Sequence, residues 1–592
     1  MTINEKVAEL RAKMIAKGLD AYIIPSTDPH ISEYVADRWK SKTWISGFTG
    51  SVATFVVTKD KSGLWVDSRY WLQSEEELKG TEIEVFKLGM DGVLNFTDWL
   101  VKQLTANNTV GYDGMCIPRG MDKQWRSLFN YWNINVNSDY DLLEEIWENR
   151  PSIPREAIFT QKIEYAGVSR EDKINNVRKQ MKDKGVDVHI IATLDDNCWL
   201  FNIRGRDVTY NPVAYCYSII THDVAELYIY EDKVNDEVKA ELTKSGIIIK
   251  NYDDIFSAVQ NLESGKKVYV DPARINAGLS NMIPSNCQVV EGMNISTMMK
   301  AVKNETELNG VRTAMQRDCI AMVKFQYWLE NNIETEEISE LSAMDKIREI
   351  RAESDMFFGE SFGTIAGYKG NGAIVHYGSS PETNVKLERD SFFLFDSGGQ
   401  YYDGTTDITR MYHLGTPTEE EMIDYTLVLK GHIDLNLAIF PTNTRGSQLD
   451  ILARHGLWQR MQNYGHGTGH GVGCFMNVHE GPQNIRMDEN PVTLVPGMLI
   501  SNEPGMYRAG KYGIRIENLV NVIEAGKTEF GNFLTFEVLT LCPIDKKAIK
   551  KELLTDVEIK WFNDYHQRVF DSVKDDLSPE LRDWLAEKTA AI

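Results

Sequence analysis

A chain of 592 residues exceeds what one hydrophobic core usually supports, so two to four domains are expected. Hydrophobic residues at 42% and charged residues at 26% match ordinary globular usage and exclude the disordered and collagen-like classes. A formal net charge of -23 sets the average surface against a phosphate backbone, which argues against nucleic acid as a partner.

The opening stretch MTINEKVAEL is charged and helical in pattern, without the basic and then apolar segments of a secretory signal. No uninterrupted apolar run approaches the roughly 18 residues that span a bilayer, so no membrane partner is expected. Seven cysteines run from Cys116 to Cys542 without a CxxC pair. That spacing fits neither a disulfide framework nor a thiolate zinc site, and a reducing cytoplasm is the expected location.

Residues 5 to 28, EKVAELRAKMIAKGLDAYIIPSTD, align without gaps to residues 172 to 195, DKINNVRKQMKDKGVDVHIIATLD, at a constant offset of 167. Val7, Leu10 and Met14 in one copy, and Ile174, Val177 and Met181 in the other, recur at helical spacing. Each helix is predicted to stop at Lys17-Gly18 or Lys184-Gly185, where glycine accepts the left-handed conformation, and an apolar strand follows. Further strands are predicted at TFVVT, GLWVD, YCYSII and AELYIY. Residues 1–158 and 159–303 therefore read as two related α/β domains, and residues 304–592 as a third. The third opens on a long amphipathic helix carrying Leu308, Val311, Met315, Cys319, Met322, Phe325 and Leu329.

The polar signals fall in this last half. In SFFLFDSGGQYYDGTTDITR, residues 391 to 410, an apolar run ends at Asp396 and a second acid, Asp407, starts another strand-like segment. A hairpin-like return would bring the two carboxylates together, where an unpaired charge among apolar neighbours demands a cation. Asp403 reads as a turn residue of its Asp-Gly pair.

In NYGHGTGHGVG, residues 463 to 473, every second residue is glycine. A helix there would lose roughly 1 kcal/mol per glycine, so the segment is expected to be extended or looped. Alternation then puts His466, Thr468 and His470 on one side and bare backbone on the other, a surface able to press against a second layer. His479 follows in NVHEGP. Glu503 ends MLISNE, and alternation in GIRIENLVNV places Arg515 and Glu517 on one face. Each acid alone is readable as a salt-bridge partner. Four carboxylates with one neutral imidazole form an oxygen-rich set suited to two divalent ions of the manganese, cobalt or zinc sort. Such ions about 3.5 to 4 Å apart share a hydroxide and serve hydrolysis.

Asp396, Asp407, His470, Glu503 and Glu517, in that chain order, resemble the ligand set of the pita-bread metallopeptidases, the family of methionine aminopeptidase, prolidase and Xaa-Pro aminopeptidase. PSTDPHISEY, VDSRYWLQ, WLFNIRG, NGAIVHY, DGTTDITR, HGTGHGVG, NVHEGP and GIRIEN are similar to the long, three-domain cytosolic Xaa-Pro aminopeptidase subgroup. That resemblance covers nearly the whole chain. It implies two tandem creatinase-type N-terminal α/β domains before a pita-bread catalytic domain. It further implies an aminopeptidase acting on peptides with proline second, two metal ions per chain with manganese expected first, and a homodimer.

By the same resemblance Asp407 and Glu517 bridge both metals, Asp396 chelates one, and His470 with Glu503 holds the other. Glu503 also handles the proton of the nucleophile. His376, His466 and His479 match the family's outer histidines around the scissile carbonyl, and Arg515 with Tyr507 matches the pair that steadies Asp396. The alternatives are a prolidase using the same site on dipeptides and a pita-bread module that only binds proteins.

Overall fold

A computed structural model describes residues 1–592. Two compact units divide the chain, one made of Met1–Lys162 with Val168–Thr297 and the other of Ile163–Gly167 with Met298–Ile592.

The first unit begins with α1 (Ile3–Ala16), capped by a reciprocal Thr2–Glu5 box, and buries Val7, Leu10 and Met14. Gly18 ends it at φ +71°. Strands β1 (Ala21–Ile24), β2 (Thr54–Thr58), β3 (Ser62–Val66), β4 (Glu84–Lys87), β5 (Thr109–Tyr112) and β6 (Asn135–Asn137) form one sheet in the order β4-β3-β2-β1-β5-β6. The pattern repeats in α2 (Arg170–Lys184), which buries Ile174, Val177 and Met181 and stops at Gly185, φ +64°. Here β7 (Val188–Ile191), β8 (Tyr217–Thr221), β9 (Ala225–Tyr228), β10 (Ile247–Lys250), β11 (Lys267–Val270) and β12 (Gln288–Glu291) take the order β10-β9-β8-β7-β11-β12. In both sheets the first strand runs antiparallel to the second and parallel to the fifth, so the sequence repeat is a repeat of topology. The loop after β1 docks the copies together. Tyr215 donates to Asp28 at 2.6 Å, and the buried His30 ring bridges the Ala192 carbonyl at 2.6 Å and the Tyr252 hydroxyl at 2.8 Å.

The second unit is built on α3 (Glu305–Asn332), started by an Asn304–Glu307 capping box, and α4 (Glu340–Arg351). Strands β13 (Ile365–Tyr368), β14 (Phe392–Ser397) and β15 (Ile408–His413) form an antiparallel sheet with β14 in the middle. Phe392 and Leu394 enter one apolar core while Phe393 and Phe395 enter another, which explains why the run is continuous rather than alternating. Next come α5 (Glu419–Asn436), β16 (Phe440–Pro441), α6 (Gly446–Trp458), β17 (Gly469–His470) and β18 (Asn484–Ile485). They are followed by β19 (Leu499–Asn502), β20 (Gly505–Arg508), β21 (Tyr512–Arg515), β22 (Asn518–Thr528) and β23 (Gly531–Val538). A four-stranded sheet runs β16-β23-β22-β19, while β17-β18 and β20-β21 are two-stranded. The chain closes on α7 (Asp556–Val573) and α8 (Pro579–Lys588). No helix is long and apolar enough to cross a membrane.

Candidate metal centre

The acids are brought together by register. Asp396 lies opposite Thr409 and Ser397 opposite Ile408, so the return of β14 into β15 sets Asp396 and Asp407 at one end of the hairpin. Glu517 follows β21, and its N–H donates to the Thr409 carbonyl at 3.3 Å. Glu503 follows β19, and its N–H donates to the Thr468 carbonyl at 2.8 Å.

His470 comes from the glycine-rich segment, of which Gly469–His470 is strand-paired and Gly471 makes an isolated bridge to Ile500. The remainder curves, and Thr468 points away from the imidazoles into a buried contact with Asp450 on α6 at 2.5 Å. The bare side of the segment does press against a second layer. A Cβ on Gly469 would lie 1.9 Å from the Ser501 carbonyl oxygen, and one on Gly471 would lie 2.1 Å from that of Glu480. The His470 N–H donates to Ser501 Oγ at 3.0 Å, which fixes this strand to β19.

One ligand atom each from Asp407, His470 and Glu517 falls within a mutual 4.8 Å. His470 Nε2 is 3.5 Å from Asp407 Oδ2 and 3.6 Å from Glu503 Oε1. Asp396 accepts from Arg515 Nη2 at 2.7 Å through Oδ2, while its buried Oδ1 has no hydrogen-bond partner. Burial, reinforced by Asp407, Asp396 and Glu503, pushes the Glu517 carboxyl well above its ordinary range. Burial also lifts Glu503 to about 7 against the opposing His470 and Arg515 charges. For His470 burial pulls downward, but the Asp407 hydrogen bond and the Glu503 charge outweigh it and raise the imidazole to about 9.

These shifts have one physical meaning: Glu503 and Glu517, buried beside other carboxylates, favour their protonated forms unless cations neutralise the site. The donor set, four acids with one imidazole and an orphaned Asp396 oxygen, fits divalent metal and offers no thiolate.

Arg515, Tyr507, His466 and His479 are linked to the same place. Arg515 Nη1 donates to Tyr507 Oη at 2.8 Å, and Tyr507 Oη lies 2.8 Å from His466 Nε2. His466 Nδ1 faces the Gly467 carbonyl at 2.7 Å, so this network selects the Nδ1–H tautomer, with Tyr507 donating to Nε2. The His479 ring sits 4.3 Å from that of His470 in an edge-on arrangement. His376 is half-buried, and the carbonyl of Val375 just before it accepts from Arg515 Nη1 at 3.3 Å. Asp403 is buried at its turn and forms a bidentate pair with Arg317 at 3.1 Å.

Four polar partners escaped the sequence reading. The Thr409 hydroxyl donates to Glu517 Oε2 at 2.7 Å and accepts from Arg515 Nε at 3.2 Å, joining two elements far apart in sequence. Glu480, beside His479, is buried between Lys300 and Lys303. Asp450 and Arg454 pair on α6 beneath the His466 segment. Only Thr409, two residues after Asp407 and so on the same face of an extended segment, carries any visible signal; the other partners sit on ordinary helix and turn positions.

Residues 309–524 match the model of metallopeptidase family M24, and residues 532–592 match the C-terminal region of that peptidase. Residues 6–140 and 149–307 each match a creatinase/prolidase N-terminal domain. Xaa-Pro aminopeptidase 1 of Dictyostelium discoideum is 38% identical over 591 residues, covering 97% of this chain and 93% of its own. Aminopeptidase P2 of Arabidopsis thaliana is 37% identical over 612 residues, covering 97% and 86%. Among solved structures, the X-prolyl aminopeptidase of Caenorhabditis elegans, described as a cytosolic enzyme with a di-nuclear active site, superposes at a TM-score of 0.96. It is 35% identical, with full coverage of both chains.

Proposed function

The chain belongs to metallopeptidase family M24, with two creatinase-type domains ahead of a pita-bread domain, and from that premise we propose that it is a metal-dependent Xaa-Pro aminopeptidase. It releases the N-terminal residue from peptides whose second residue is proline. The observation that carries this reading is the convergence of Asp407, His470 and Glu517 within 4.8 Å. Full-length likeness to Xaa-Pro aminopeptidases supports the substrate.

In this reading Asp396, Asp407, His470, Glu503 and Glu517 hold two divalent ions, manganese first and cobalt or zinc as substitutes. Asp407 and Glu517 would be shared ligands, Asp396 would serve one ion, and His470 with Glu503 would serve the other. When bound, the ions supply Lewis acidity toward the scissile carbonyl and lower the pKa of a water molecule. Glu503, carboxylate at the turn after β19, accepts the proton of the attacking water and returns it to the departing proline nitrogen as the C–N bond breaks. His376, His466 and His479 orient the carbonyl and offset the negative charge that develops on its oxygen. Arg515 counters the Asp396 charge and, through Tyr507, holds His466 in one tautomer.

Residues 1–158, 159–303 and 304–592 form the three domains of this reading, and the active species is a cytoplasmic homodimer. The net charge of -23 opposes nucleic acid as a partner.

The test is a substrate panel with manganese, cobalt or zinc supplied in turn. Arg-Pro-Pro is expected to lose its arginine. Cleavage of Gly-Pro with Arg-Pro-Pro untouched would make the enzyme a prolidase and overturn the assignment.

A further inference from the structure

His466 stands in a segment with glycine at 465, 467 and 469, a stretch whose backbone has more freedom to lose than any other composition. Something outside the segment has to fix its path. Arg454, on α6 and 1% exposed, supplies that template. Its Nε donates to Asp450 Oδ2 at 2.6 Å, one helical turn away. Its Nη1 donates to Asn463 Oδ1 at 2.9 Å and to the Tyr464 carbonyl at 2.7 Å, and its Nη2 donates to the His466 carbonyl at 2.8 Å. The guanidinium also lies 3.8 Å from the centroid of the Tyr464 ring.

Asp450 completes the frame from the other side of the histidine. Its Oδ1 accepts from the Thr468 hydroxyl at 2.5 Å, and Tyr464 Oη meets the same hydroxyl at 2.5 Å. Because Thr468 has one proton and gives it to the carboxylate, Tyr464 is the donor to Thr468. The Thr468 carbonyl in turn receives the Glu503 N–H at 2.8 Å. One buried ion pair thus grips the segment before, at and after His466, using the planar, multi-donor geometry that lysine lacks.

We propose that Arg454, held by Asp450, is a positioning residue for His466 in the reaction, acting through the segment 463–468. The proposal rests on the aminopeptidase reading given above. His470 has its own anchors, the β17–β18 pairing and Ser501 Oγ, so the grip of Arg454 on His466 is separable from the placement of the His470 imidazole.

The experiment compares R454K and T468V with the unsubstituted protein and with G456A on the same helix, where an added Cβ meets nothing closer than 3.7 Å. Bound manganese is counted by elemental analysis, and kcat and KM are measured on Arg-Pro-Pro. The His466 ring N–H is followed by NMR of metal-free protein carrying 15N-histidine, with H466N assigning the signal. Both variants are expected to keep the metal stoichiometry and to lose about 10- to 100-fold in kcat with KM within about threefold, the scale of an ångström-level misplacement. Their His466 signal shifts or broadens, while G456A behaves as the unsubstituted chain.

Folded variants with an unchanged His466 signal and unchanged kcat overturn the proposal. So does activity lost in proportion to metal with the signal unmoved, which marks a purely structural ion pair. T468V decides the matter if R454K does not fold. If the unsubstituted protein leaves Xaa-Pro peptides intact, the aminopeptidase reading fails, and the NMR arm still decides whether Arg454 positions His466.

Discussion

Replacing Gly469 with alanine is expected to disable the centre from its backbone side. The new Cβ would lie 1.9 Å from the Ser501 carbonyl oxygen, 2.9 Å from its carbon and 3.4 Å from Ile500 Cγ2. Carbon and oxygen settle at about 3.3 Å even in the close contacts of sheets, so β17 and β19 must separate by about 1.4 Å. Neither side is a flexible side-chain tip: Ser501 sits in β19, between β22 and the glycine segment. Relief comes by moving β17, which breaks the His470 N–H to Ser501 Oγ bond and carries the imidazole away from Asp407 and Glu503. Overpacking of this kind costs about 1–3 kcal/mol in stability, and an ångström of misplacement costs about 10²-fold in rate. Glycine-to-alanine exchange at Gly456, in the interior of α6 with ordinary contacts, is expected to stabilise by about 0.4–1 kcal/mol. The assays are kcat/KM on Arg-Pro-Pro, metal content and thermal unfolding. A G469A protein with unaltered melting temperature and kcat/KM would falsify the idea that the bare glycine face sets the ligand geometry.

Chelation of divalent ions is expected to abolish hydrolysis and lower the melting temperature, since metal at 100 times its dissociation constant stabilises by about 2.7 kcal/mol. A chelated protein that melts where the loaded one does contradicts the centre, and D407N should retain fewer than two ions by elemental analysis. Burial holds His30 and His189 down to about 4, and His566 down to about 3, from an unfolded value near 6.5. The unfolded chain therefore binds more protons, and stability is fully present above about pH 6.5 and falls below it, by about 2 kcal/mol per group at pH 5. An NMR titration in which these three rings take up protons near pH 6.5 in the folded protein refutes this. Asp318 accepts from Arg351 at 2.7 and 3.0 Å, from Tyr401 at 3.0 Å and from Thr406 at 2.6 Å, all in the interior. D318A is expected to lose about 3–5 kcal/mol by stranding the Arg351 charge, while the double exchange D318L/R351M recovers most of it in chemical denaturation.

Much of the architecture was legible because it is written in local periodicity. The offset of 167 between Val7-Leu10-Met14 and Ile174-Val177-Met181 carries through to Ala21 and Val188, the first residues of equivalent strands. Glycine at 18 and at 185 was readable as a helix stop because positive φ is inexpensive only there. Asp396 and Asp407 were readable as candidates because a carboxylate closing FFLF has no local neutralising partner, and the alternate glycines around His470 were readable as a surface for close approach. The curl of residues 464–468 was not. Thr468 turns into Asp450 because a buried carboxylate on α6 competes for its hydroxyl, and simple alternation has no knowledge of what lies across the gap.

The sequence by itself determined the duplication, the helix limits, the acidic charge and the types of donor available, since each follows from residue chemistry within a few positions. The tertiary structure alone decided which donors meet. Asp407, His470 and Glu517 come from separate stretches and meet within 4.8 Å, with Glu503 3.6 Å from His470, only when antiparallel registers fold those stretches together. The supports of those donors, Thr409 between Arg515 and Glu517 and Arg454 beneath His466, are likewise products of packing. A hydrogen bond acts across a few ångströms of space and is indifferent to the 106 residues that separate Thr409 from Arg515 along the chain.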